Sequence, residues 1–158
     1  MALAGSAGAD VSPTQRALAR ELFQQGRALM AKKDYVKACA KLAESQRIDP
    51  ATGTLLNLAV CHEAEGKTAS AWAEFNDALS LSRQDGRKDR VELATKHIAN
   101  LEPRLSRLTI DVPPDARVAG LEIKLDDGRV GRTAWGTAVP VDPGTHTVRA
   151  LAAGWKEW

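Results

Sequence analysis

The chain carries two cysteines, Cys39 and Cys61, and Pro50 stands eleven residues from each. Such a pair is open to three chemistries: oxidation to a bridge, burial as small hydrophobes, or metal ligation together with His62. If Pro50 bends the chain between two antiparallel helices, about 1.5 Å of rise per residue brings both cysteines to one height, about 16 Å from the bend. Neighbouring helix axes lie about 8–10 Å apart, so inward-pointing sulfurs can meet. A bridge closing a loop of about 20 residues would contribute about 3 kcal/mol. Metal is disfavoured, because His62 directly follows Cys61 and so points about 100° away around a helix. No metal and no cofactor is expected.

The remaining reactive residues form no catalytic set. His62 falls on a helix face that packing would bury. His97 falls on a later helix next to Ile98, and His146 in "PGTHTV" reads as a strand position. None has a nucleophile or carboxylate at a spacing that suggests a nucleophile–base pair. "GKT" at residues 66–68 copies the tail of a phosphate loop, yet Cys61 stands where that motif needs its first glycine. It also follows a helix where the motif needs a strand. The carboxylate pairs Glu63/Glu65 and Asp126/Asp127 read as solvated surface. Trp72 reads as core or groove lining, and Trp135, Trp155 and Trp158 as packing residues or a sugar platform. An enzyme is therefore not expected.

The elements that would position these residues are helical first. "SPTQ" is a start signal, with Ser12 as N-cap, Pro13 at the first helical position and Gln15 closing a capping box. Leu18, Leu22, Leu29 and Met30 follow at helical spacing. Asp34 can cap a second helix carrying Val36, Ala38, Leu42 and Ile48, which Asp49-Pro50 ends. A third carries Leu55, Leu58, Ala59 and His62 up to Gly66. A fourth carries Ala71, Trp72, Phe75, Ala78 and Leu79, and a fifth Val91, Ala94, Ile98, Leu101 and Leu105.

A shift of 33 residues superposes Leu22 on Leu55, Gly26 on Ala59, Ala38 on Ala71, Leu42 on Phe75 and Ser45 on Ala78. Two helices per period of this length mark a helical repeat array. Gly26, Ala38 and Pro50, with Ala59, Gly66, Ala71, Phe75 and Ala78, resemble the small/large pattern of tetratricopeptide repeats over about residues 19–84. The sequence departs from that pattern at Leu29 and His62, where an aromatic is usual, and at Arg83, where proline is usual. The fifth helix would cover the apolar face of the last repeat.

Beyond Leu105 the pattern alternates. "RLTIDV" and "LEIKLDDG" read as strands, with Asp127-Gly128 as a hairpin turn, and a small β-sandwich is expected. Pro114, Asp127, Gly128, Gly131, Thr133, Pro143, Gly144, His146, Val148, Gly154 and Trp155 resemble the pattern of the PEGA-type domain of bacterial envelopes. That resemblance implies a further strand, so the β part reads as cut short, with an edge open to self-association. The expected fold is α+β: a tail or signal-peptide remnant over 1–11, helical repeats and a capping helix over 12–107, and a β-domain over 108–158.

The 22 basic residues are interleaved with 20 acidic ones, which argues against a nucleic-acid surface. No apolar run reaches the roughly 20 residues that span a bilayer. Small residues at Ser6–Ala9 resemble a signal cleavage region, and a bridge would fit an oxidising compartment. The periplasm or cell envelope is the expected location. By resemblance to tetratricopeptide domains, a partner peptide or protein would lie across Arg20, Phe23, Arg27, Met30, Leu56, Asn57, Val60 and Glu63. Arg20 and Arg27 suit a carboxylate and Asn57 a peptide backbone, while Phe23, Met30, Leu56 and Val60 offer apolar contact. The alternative is a glycan- or cell-wall-binding module using the β-domain.

Overall fold

The computed structural model describes residues 11–156. The small-residue segment Ser6–Ala9 and Trp158 lie outside them. The chain divides into a helical unit through Pro103 and a β unit from Arg104.

The helical unit comprises α1 (Pro13–Ala31), α2 (Tyr35–Ile48), α3 (Thr52–Glu65), α4 (Thr68–Gln84) and α5 (Lys88–Leu101). Ser12 and Gln15 form the reciprocal capping box at the start of α1, and the Asp34 carboxylate accepts from the Lys37 amide at α2. Gly66, at φ 91°, closes α3 in the left-handed conformation that glycine adopts without steric cost. Each helix packs on the next, and α1 also touches α3. Among the described residues no helix is long and apolar enough to cross a membrane.

The positions related by 33 residues do equivalent work. Ala38, Ala71, Leu42, Phe75, Ala59 and Ala78 are fully buried. Gly26 permits the close approach of α1 to α2: a Cβ there would stand 2.7 Å from Leu42 Cγ and 3.2 Å from the Ala38 carbonyl oxygen. Ser45 is buried and donates to the Ala19 carbonyl at 2.8 Å, tying α2 to α1. Two apolar clusters result. Leu42, Ala38, Leu58 and the cysteines form one, flanked by Phe23, Leu29 and Met30. Phe75 heads the other, with Leu55, Leu56, Ala59, Ala94 and Leu101. Through Ala94, Ile98 and Leu101, α5 covers the apolar face of α4.

The fifth helix ends earlier than the sequence suggests. Leu101 is its last residue, Glu102–Arg104 forms a 3₁₀ turn, and Leu105 is outside it. Pro103 has no amide hydrogen to continue the ladder, which explains the stop. The division therefore falls at 103/104, not at 107/108.

The β unit holds two antiparallel sheets. β1 (Ser106–Thr109) pairs with β4 (Ala138–Val141), and β2 (Glu122–Leu125) lies between β3 (Gly128–Val130) and β5 (Val148–Leu151). The hairpin turn is Asp126-Asp127 and not Asp127-Gly128, since Gly128 pairs with Leu125 in the ladder. Asp126 takes φ 53°, which a short polar side chain tolerates. The Asp126 amide donates to the Thr147 carbonyl at 2.7 Å, and its Oδ1 accepts from the Thr147 amide at 2.9 Å. These two bonds select the register. His146 precedes β5 in a loop, so it is not a strand residue.

Candidate functional site

Cys39 and Cys61 are joined as a disulfide, with Cα atoms 5.6 Å apart. Both are buried, and the bridge ties α2 to α3 across the first apolar cluster. Antiparallel helices joined by the three-residue link 49–51 put them at one height, as their equal spacing from Pro50 requires. Cys61 Sγ lies 3.6 Å from the Tyr35 carbonyl oxygen; while bridged, the sulfur carries no hydrogen to donate.

A polar layer continues from the bridge through α3, α4 and α5. Glu74 holds His62 Nδ1 at 2.9 Å through both carboxylate oxygens. Glu63 pairs with His97 Nδ1, and the His97 ring stacks on Phe75 with centroids 4.5 Å apart. Glu63 and Glu65 are thus not a solvated pair: both are half-buried. Oε2 of Glu65 is buried without a hydrogen bond, although Lys67 Nζ lies 3.1 Å away. One ligating atom each from Cys39, His62 and Glu65 fall within 4.8 Å of one another. Of the two cysteines weighed with His62, it is Cys39, on the facing helix, that belongs to this group, and Cys61 does not.

The residues assigned to partner binding separate into two kinds. Arg20 and Arg27 are exposed on α1, with the Arg27 guanidinium 5.9 Å from the centre of the Phe23 ring. Phe23, Met30 and Val60 are half-buried and keep part of their apolar surface outward. Leu56, by contrast, is buried in the second cluster and supports the surface from beneath. Asn57 Nδ2 donates to the Gly53 carbonyl at 2.8 Å, leaving its amide oxygen as the group suited to a ligand. Glu63 is held by His97.

In the β unit, Trp135 has the guanidinium groups of Arg132 and Arg117 5.4 and 5.9 Å from its ring centre. Trp155 is exposed and lines an apolar hollow of about 500 Å³ with Val112, Val118, Ile123 and Val148. Trp135 lines a different hollow.

His146 is the chemically informative histidine of this unit. Its Nε2 lies 2.6 Å from the Asp142 carbonyl oxygen and its Nδ1 2.9 Å from Asp126 Oδ2. Both partners only accept, so both bonds together require the imidazolium. The Asp142 carbonyl and then the Asp126 carboxylate raise the ring's pKa above 6.5, while His146 and then the Thr147 amide hold Asp126 below 3.8. A raised histidine pKa stabilises below its unfolded value and loses that contribution as pH rises through the folded one. A lowered aspartate pKa stabilises above its unfolded value and loses it as pH falls through the folded one. The pair therefore supports the 142–147 loop fully between the two unfolded-state values, and loses that support as pH passes beyond either folded-state value. Imidazole proton shifts followed by NMR are expected to titrate above the ordinary histidine range, and His146→Gln or Asp126→Asn should flatten that pH dependence.

The chain is an α+β protein: five helices followed by a small antiparallel β region of two sheets. No family model, curated protein or solved structure matches it.

Proposed function

We propose that the chain is a non-enzymatic interaction scaffold of the bacterial cell envelope, with a tetratricopeptide-like helical unit and a PEGA-like β unit. Its partner, a peptide or protein segment carrying carboxylates beside apolar side chains, lies along the face shared by α1 and α3. The observation that carries this reading is the contact of α1 with α3, beyond the contacts between consecutive helices. Exposed Arg20 and Arg27 share α1 with half-buried Phe23 and Met30, with Arg27 over the Phe23 ring, and α3 contributes half-buried Val60. The guanidinium groups supply planar donors for carboxylates. The bridge supports an exported location, since disulfides persist in oxidising compartments.

Photo-crosslinking in the producing cells tests this. Benzoylphenylalanine in place of Gln24, on α1, is expected to capture a discrete partner. The same group in place of Ala43, on α2, should capture none. The crosslink should weaken at least tenfold when Arg20 and Arg27 are both changed to glutamate. Equal capture from both positions, or capture indifferent to the arginines, would overturn the groove.

A further inference from the structure

The half-buried polar layer beside the bridge has a second use. We propose that reduction of Cys39–Cys61 creates a zinc site formed by Cys39, His62 and Glu65, with Glu74 as the positioning residue behind His62. The site does not depend on the scaffold reading.

The donor set fits the ion. Zinc is borderline-soft and accepts thiolate, imidazole and carboxylate together. Tetrahedral bonds of about 2.0–2.3 Å hold ligand atoms about 3.3–3.8 Å apart, so the present triangle needs to close by at most about 1.5 Å. Glu65 Oε2 is buried and makes no hydrogen bond, but it is paired at 3.1 Å with the Lys67 ammonium, whose charge a metal ion would replace. Lys67, whose side chain is 46% exposed, can swing its ammonium into solvent when the metal enters. Glu74 grips Nδ1 of His62, which fixes the tautomer with its lone pair on Nε2; a carboxylate behind a histidine is the usual outer partner of a zinc ligand. Cys61 takes no part. Once reduced, its thiol can donate to the Tyr35 carbonyl, against which its sulfur already rests.

The redox step balances with a small dithiol as reductant. Two electrons and two protons pass to the bridge, the dithiol closes into its own disulfide, and two protein thiols result. Cys39 then releases its proton to solvent as the Cys39 Sγ–zinc bond forms.

Two single variants break the bridge equally and differ only in which thiol survives. Cys61→Ser retains Cys39, and Cys39→Ser retains Cys61. With cobalt(II) as the spectroscopic probe, Cys61→Ser is expected to bind one ion per chain without reductant and to show a thiolate-to-metal charge-transfer band. Zinc should displace the cobalt. Cys39→Ser should bind at least a hundredfold more weakly and lack the band. In the Cys61→Ser background, His62→Ala or Glu65→Ala should weaken binding at least tenfold, and Glu74→Gln about ten- to a hundredfold. The reduced native chain should match Cys61→Ser, with helicity checked by circular dichroism. Equal binding by the two serine variants, absence of the band, or failure of zinc to bind the reduced native chain, folded or unfolded, would each overturn the site.

Discussion

Phe75→Ala is expected to destabilise the helical unit by about 3–5 kcal/mol, the range for emptying a fully buried aromatic site. Phe75 has no exposed surface and stands at the centre of the cluster built by α3, α4 and α5. Its ring also stacks on His97, which in turn holds Glu63 on α3. Truncation therefore removes apolar contact and loosens a polar link between α3 and α5 at once. Phe75→Leu should cost much less, about 1–1.5 kcal/mol, because the equivalent position of the first helix pair is Leu42, equally buried. Urea unfolding followed by helical circular dichroism separates the two. A cost for Phe75→Ala below about 1 kcal/mol would contradict the core assignment.

Removing the bridge is the second large effect. Cys39→Ala combined with Cys61→Ala is expected to cost about 3 kcal/mol, mostly by restoring freedom to the unfolded chain across the sequence separation of 22. For a unit of this size that corresponds to roughly 10–20 °C in the melting temperature. The loss should be uneven. The bridge fastens α2 to α3, the junction between the first helix pair and the second, and stacked helix pairs draw stability from such junctions. Amide exchange should accelerate most in α1 and α2 and least in α4 and α5. Uniform acceleration would show that the helices unfold as one body with no special role for that junction.

Much of the helical unit was legible because its signals are local. Ser12 and Gln15, Asp34, Asp49-Pro50 and Gly66 each act within one turn of the chain, and all stand where helices begin or end. The cysteine pair was legible for the same reason, since helix rise converts equal spacing into equal height. The β unit was less so. "DDG" offers two neighbouring turns, and the choice rests on Thr147, twenty-one residues away. Likewise the run between β3 and β4 contains a 3₁₀ turn at Arg132–Ala134 that no alternation of residues announces. The polar layer was hidden most deeply. His62 meets Glu74 across twelve residues and His97 meets Glu63 across thirty-four, contacts fixed by helix rotation and packing. The 33-residue repeat offered one usable hint, for Glu63 and His97 stand one repeat length plus one residue apart. Leu56 shows the reverse failure: expected on the binding face, it belongs to the buried run Thr54–Leu56 and packs in the core beside Leu55.

Peptide mapping of protein whose free thiols are alkylated before lysis tests the bridged α2–α3 hairpin most directly. Trypsin should release residues 38–41 linked to residues 48–67 through their cysteines, with neither sulfur alkylated until a reductant is added. Recovery of both peptides unlinked and alkylated, from protein with full helical signal, would contradict the bridged hairpin.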